Sequence, residues 1–139
     1  MKKSILFLAC YFVFFSSFAQ RGTDTTNGLD DISKEDKKEF QKLLDSSSTF
    51  YNNGDYTKSL KLNIEILNKA FKLKNSYFIH QGYRYLAYDY LYLNDTILAM
   101  DSFKKSENYA KLAKNDTATA LTYMDLANVF AAKEDYKKA

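Results

Sequence analysis

Proline and tryptophan are absent from this chain, cysteine and histidine occur once each, and glycine appears only four times in 139 residues. Each scarcity excludes something. With the helix-breaking residues so few, long helices joined by few sharp turns are expected. A lone cysteine, Cys10, permits no internal disulfide. A lone histidine, His80, permits no histidine-pair metal site and leaves a catalytic triad without partners; its ordinary reading is a polar residue in the first turn of a helix. No glycine-rich phosphate loop, zincin motif or nucleophile elbow is present. The expectation is a protein that is not an enzyme, with no catalytic residues, no cofactor and no metal. The length allows one domain with a modest core. What the chain does have is aromatic residues, 17% of the total, as 12 Tyr and 11 Phe.

The first residues read as an export signal. Lys2 and Lys3 precede an apolar run over 5–15, followed by the small-x-small triplet Ser17-Phe18-Ala19, so residues 1–19 form a signal peptide with cleavage expected between Ala19 and Gln20. The run is shorter than the roughly 18 residues that a membrane-spanning helix needs. Cys10 does not convert the segment into a lipoprotein signal. Only Ala9 of Phe7-Leu8-Ala9 fits a lipobox, and residues 11–15 would leave an apolar start where a polar tether is usual. The mature chain is then free of cysteine. Removing Lys2 and Lys3 takes the 20 basic residues to 18 against 17 acidic, so charge gives little support to a nucleic-acid or anionic-membrane surface. The lysine-rich stretches 69–74 and 104–114 alternate with apolar residues and read as solvated helix faces. Residues 20–32 are polar and lack periodicity, as a flexible linker does.

Order is expected from Ser33, which with Asp36 forms a capping pattern ahead of Phe40, Leu43, Leu44, Phe50 and Tyr51 at helical spacing. Against itself at a shift of forty, the chain aligns three times. Asp55, Asp95 and Asp135 coincide, and so do the small residues Ser59, Ala99 and Ala139. Tyr83-x-x-Leu86-Ala87-x-x-Tyr90 returns as Tyr123-x-x-Leu126-Ala127-x-x-Phe130, and more faintly as Leu43-x-x-Ser46-Ser47-x-x-Phe50. The small residues at 47, 87, 127 and at 59, 99, 139 allow helices of a pair to approach closely, and each Asp suits a helix N-terminus.

This pattern resembles the tetratricopeptide repeat, whose units carry aromatic-x-x-Leu-small-x-x-aromatic, a turn, then Ala-x-x-x-aromatic, the last supplied by Ala99 and Phe103. It departs from the family in a period of forty where thirty-four is usual, as in wide-repeat bacterial variants, and in lacking the closing proline. Ser59 and Asn63 stand where Ala and an aromatic are usual, as in a terminal repeat facing solvent. The resemblance implies an all-α fold, an α-solenoid of antiparallel helix pairs with about two and a half repeats over 33–139. Helices are expected near 33–52, 55–74, 77–93, 95–113 and 117–133, with a sixth beginning at the end, so that the sequence reads as a fragment of a longer protein.

The family's concave face implies a binding groove for a protein or peptide. Helical spacing sends Tyr83 and Tyr90 inward and places Gln81, Arg84, Tyr88 and Tyr92 on that face, with Tyr51, Asn52 and Asn128 at the corresponding positions of the neighbouring units. The mixture of tyrosines, amides and one arginine suits an extended peptide. The expected role is a non-catalytic binding scaffold in the periplasm or cell envelope of a Gram-negative bacterium, as the N-terminal sensor part of a membrane-anchored regulator. The alternative is a structural or assembly scaffold without signalling output. No nucleic acid and no membrane span are expected of the mature segment.

Overall fold

The computed structural model describes residues 32–138, with side chains placed through Ala131. Five helices follow in order: α1 (Lys34–Asn52), α2 (Tyr56–Lys72), α3 (Ser76–Tyr92), α4 (Thr96–Leu112) and α5 (Asp116–Lys138). No strand forms among the described residues, and no helix there is long and apolar enough to cross a membrane. The expected signal peptide and, apart from Ile32, the expected linker lie outside the described residues.

Four connections of three residues share one construction. The middle residue of each is left-handed: Gly54 at φ +78°, Lys74 at +51°, Asn94 at +61° and Lys114 at +51°. Its amide reaches back three residues and the next amide reaches back five, as in Gly54 to Tyr51 O and Asp55 to Phe50 O, or Lys114 to Lys111 O and Asn115 to Ala110 O. These bonds satisfy the carbonyls that a helix end leaves unpaired. The residue that follows caps the next helix: Asp55 Oδ1 accepts from Lys58 N, Asn75 Oδ1 from Phe78 N, Asp95 Oδ1 from Leu98 N and Asn115 Oδ1 from Ala118 N, at 2.9 to 3.3 Å. Ser33 caps α1 by accepting from Asp36 N at 3.0 Å. Connections this short oblige successive helices to run antiparallel.

The third turn expected at Asp135 does not form, and α5 continues through it to Lys138. Lys133 and Glu134 are good helix formers, and holding Glu134 left-handed, as the equivalent Gly54 and Asn94 are, would cost about 1 kcal/mol or more. At the four earlier turns the packing of the next helix offsets that cost. Among the described residues no helix follows α5 to do so.

Each helix packs on its successor, and α3 also meets α5. Phe40 and Leu44 of α1, Ile66 and Ala70 of α2, and Phe78 and Ile79 of α3 form one core cluster. At its centre the rings of Phe40 and Phe78 stack at 3.9 Å between centroids. Where α3 crosses α2, a Cβ on Gly82 would lie 3.0 Å from Leu67 Cδ1 and 3.2 Å from Leu67 Cα, so glycine permits the approach. Further along α3, Leu86 and Ala87 are buried, as are Ala99 and Phe103 of α4, and Phe103 meets the Tyr88 ring edge-on at 5.4 Å. Tyr83 and Tyr90 are half-buried, whereas their counterparts on α5, Tyr123 and Phe130, are 48% and 54% exposed, no helix among the described residues following α5 to cover them.

Ser59 and Asn63 do not face solvent. They are 1% and 0% exposed, because α2 is enclosed between α1 and α3, and they are accommodated by hydrogen bonds inside the fold.

Candidate functional site

The three-residue turn between α1 and α2 places Tyr51, in the last turn of α1, beside Tyr56, the first residue of α2. The end of α3 lies alongside and adds Tyr88 and Tyr92. Tyr51 meets Tyr56, Tyr92 and Tyr88 edge-on at 5.4, 5.2 and 6.4 Å between centroids, and Tyr56 stacks on Tyr92 at 4.7 Å. Aromatic pairs favour these geometries. Tyr92 is 54% exposed and the other three are half-buried. Burial, and then the neighbouring Tyr92 hydroxyl, push the Tyr51 hydroxyl well above its ordinary pKa, so it remains a neutral donor.

Arg84 lies one turn before Tyr88 and reaches across to α5. Its Nε and Nη2 donate to the two oxygens of Asp125 at 2.5 and 3.2 Å, and Tyr88 donates its hydroxyl to the same carboxylate at 2.5 Å. The guanidinium also sits 5.6 Å from the Tyr88 ring centroid. Burial works against the charge of Arg84, but the hydrogen bonds and charge of Asp125 outweigh it and raise its pKa. Burial and the Asp125 bond push Tyr88 up to about 12. Arg84 is thus a neutralised part of the surface and not an open anion site.

The expected groove residues are therefore brought together unequally. Tyr51, Tyr88 and Tyr92 share one cluster, with Arg84 attached through Tyr88. Gln81 lies a turn earlier on α3 and donates to the Tyr77 hydroxyl at 3.3 Å. Asn52 is exposed at the end of α1, and Asn128 is exposed one turn beyond Asp125. Two residues escaped the sequence reading. Asp125 lies three residues before Asn128, which is assigned to the groove, and that spacing is its signal. Tyr56 joins the cluster only because the preceding turn is so short.

His80 is 2% exposed. Its Nδ1 lies 3.2 Å from the Ser106 carbonyl and 2.9 Å from Ser106 Oγ, while that hydroxyl donates to the His80 carbonyl at 3.1 Å. A carbonyl only accepts, so Nδ1 carries the proton. Burial lowers the His80 pKa and keeps the ring neutral. The residue pins α4 to α3.

A buried polar cluster lies beneath the tyrosines. Ser47 of α1 donates to Asn63 Oδ1 at 2.7 Å and lies 3.2 Å from Ser59 Oγ. Asn63 Nδ2 donates to Asp89 Oδ2 of α3 at 2.6 Å and to Ser59 Oγ at 3.4 Å. Asp89 is 0% exposed, and its Oδ1 has no hydrogen-bond partner. The spacing of Gly82, Leu86 and Asp89 marked the carboxyl for the inward face, a signal the motif reading passed over. Among the described residues no three His, Cys, Asp or Glu side chains come together as a metal site. No protein-family model, curated protein or solved structure matches this chain.

Proposed function

We propose that this chain is a tetratricopeptide-type scaffold that binds an extended peptide segment of a protein partner, without catalysis, through the tyrosine cluster and the Arg84–Asp125 pair. The carrying observation is the gathering of Tyr51, Tyr56, Tyr88 and Tyr92 from three helices onto one partly exposed surface. Tyrosine offers large contact area at low conformational entropy cost, and its hydroxyls pair with peptide backbone. The neutralised Arg84 favours an uncharged or mixed segment over an acidic one. The leader over 1–19 supports export to the periplasm or envelope of a Gram-negative bacterium, where the scaffold serves as the sensor part of a membrane-anchored regulator.

The test is a screen of extended peptides against the chain from residue 20 onward, read by NMR of the tyrosine rings. Binding peptides should shift the four clustered tyrosines first, and Tyr92→Ala should weaken them about tenfold, as loss of an aromatic anchor does. Peptides that bind equally well to Tyr92→Ala, or none that perturbs the cluster, would sink the proposal.

A further inference from the structure

The geometry points to a proton-dependent joint at Asp89, which seats α1 and α2 on α3 while the carboxyl is protonated and loosens when it ionises. Three helices are joined through this carboxyl's cluster: Ser47 of α1 donates to Asn63 of α2 and lies beside Ser59 of α2, and Asn63 in turn donates to Asp89 of α3. The group is fully enclosed, one oxygen accepts a single amide bond and the other has no partner. A buried carboxylate needs several donors or a counter-cation, and an acid with one proton needs far less. Forty residues on, the corresponding side chains Ala87, Ala99, Phe103 and Val129 hold no ionisable group, so no carboxyl occupies the equivalent place in the second junction.

The surrounding charges do not supply what Asp89 lacks. From α1 and α2 the nearby titratable groups are Tyr51 and Tyr56 of the cluster above. On α3, Arg84 and Tyr88 are committed to Asp125 of α5. Asp101, Lys104 and Lys105 of α4 are exposed. Burial holds the Asp89 carboxyl above its ordinary value, while the Asn63 amide bond and the nearby Ser59 hydroxyl act more weakly in the opposite direction. Between the unfolded value and the raised native one, the native state keeps a proton that the unfolded chain has released. The stabilisation is complete below the unfolded value of about 3.9 and is lost as pH rises through the raised native value. Tyr51 and Tyr92 lie one turn from Ser47 and Asp89, so the tyrosine cluster spans the same joint, but the joint does not depend on that cluster binding a ligand.

Hydrogen exchange on the chain from residue 20 onward, corrected for intrinsic rates between about pH 3 and pH 8 so that the window spans the unfolded value, tests the joint without a ligand. Protection of α1 and α2 should fall relative to α4 by about tenfold for each unit by which the native value exceeds the unfolded one. Asp89→Asn should abolish that difference. If that variant does not fold, the carboxyl carbon of Asp89 in the unaltered chain still reports, and it should titrate above the ordinary aspartate range. A titration within that range, or parallel changes in α1, α2 and α4, would overturn the inference.

Discussion

The two junctions of this stack are built on one plan and filled with opposite chemistry. Where α1 and α2 meet α3, the close-approach positions hold Ser47, Ser59, Asn63 and Asp89. Where α3 and α4 meet α5, forty residues later, they hold Ala87, Ala99, Phe103 and Val129. Ser47, Ser59 and Asn63 are as buried as Ala87, Ala99 and Phe103. The plan therefore demands small volume where helices touch and a filled space behind, and either hydrocarbon or a hydrogen-bonded polar cluster meets that demand. The polar solution leaves Asp89 Oδ1 unpaired. The apolar one gains an edge-on contact of Phe103 with Tyr88 at 5.4 Å.

The comparison breaks most severely at Phe103. Its ring is fully buried, so Phe103→Ala should destabilise the fold by about 3 to 5 kcal/mol, measured by denaturant unfolding. A loss below about 1 kcal/mol would mean that the second junction collapses around the gap. At the equivalent Asn63, the alanine variant should lose about 2 kcal/mol, mainly by stranding Ser47 and Asp89. There the sharper comparison is Asn63→Leu combined with Asp89→Leu. The pair should lose less than the sum of the single variants, because removing both partners leaves less polar surface unpaired. Additive losses would show that the two side chains do not act as one network. The smallest effect lies in the turns. Gly54 adopts its left-handed conformation freely, whereas Lys114 does so with a side chain. Lys114→Gly should raise stability by up to about 1 kcal/mol in the same assay, and a decrease would show that the lysine side chain contributes packing at that turn.

Much of the helical layout was legible beforehand. The caps at Ser33, Asp55 and Asp95 and the expected bounds of the first four helices agree with the structure to within two residues. Lys74-Asn75 and Lys114-Asn115 also recur at forty and make the turns between units, yet they carry no glycine to mark them in the sequence. The site was less legible. Tyr51, Tyr88 and Tyr92 were placed on one face by spacing, but the pairing of Arg84 with Asp125 joins residues 41 apart, and Ser59 and Asn63 looked like solvent-facing departures from a pattern.

The sequence by itself determined where helices start, which of their faces is apolar and the forty-residue recurrence, because capping, propensity and periodicity are properties of neighbours along the chain. Only the tertiary structure decided that the polar residues of the first junction are buried, that Asp125 neutralises Arg84 and that α5 runs past Asp135. Each of those outcomes depends on which distant side chain, if any, lies across the gap, and that is set when helices pack.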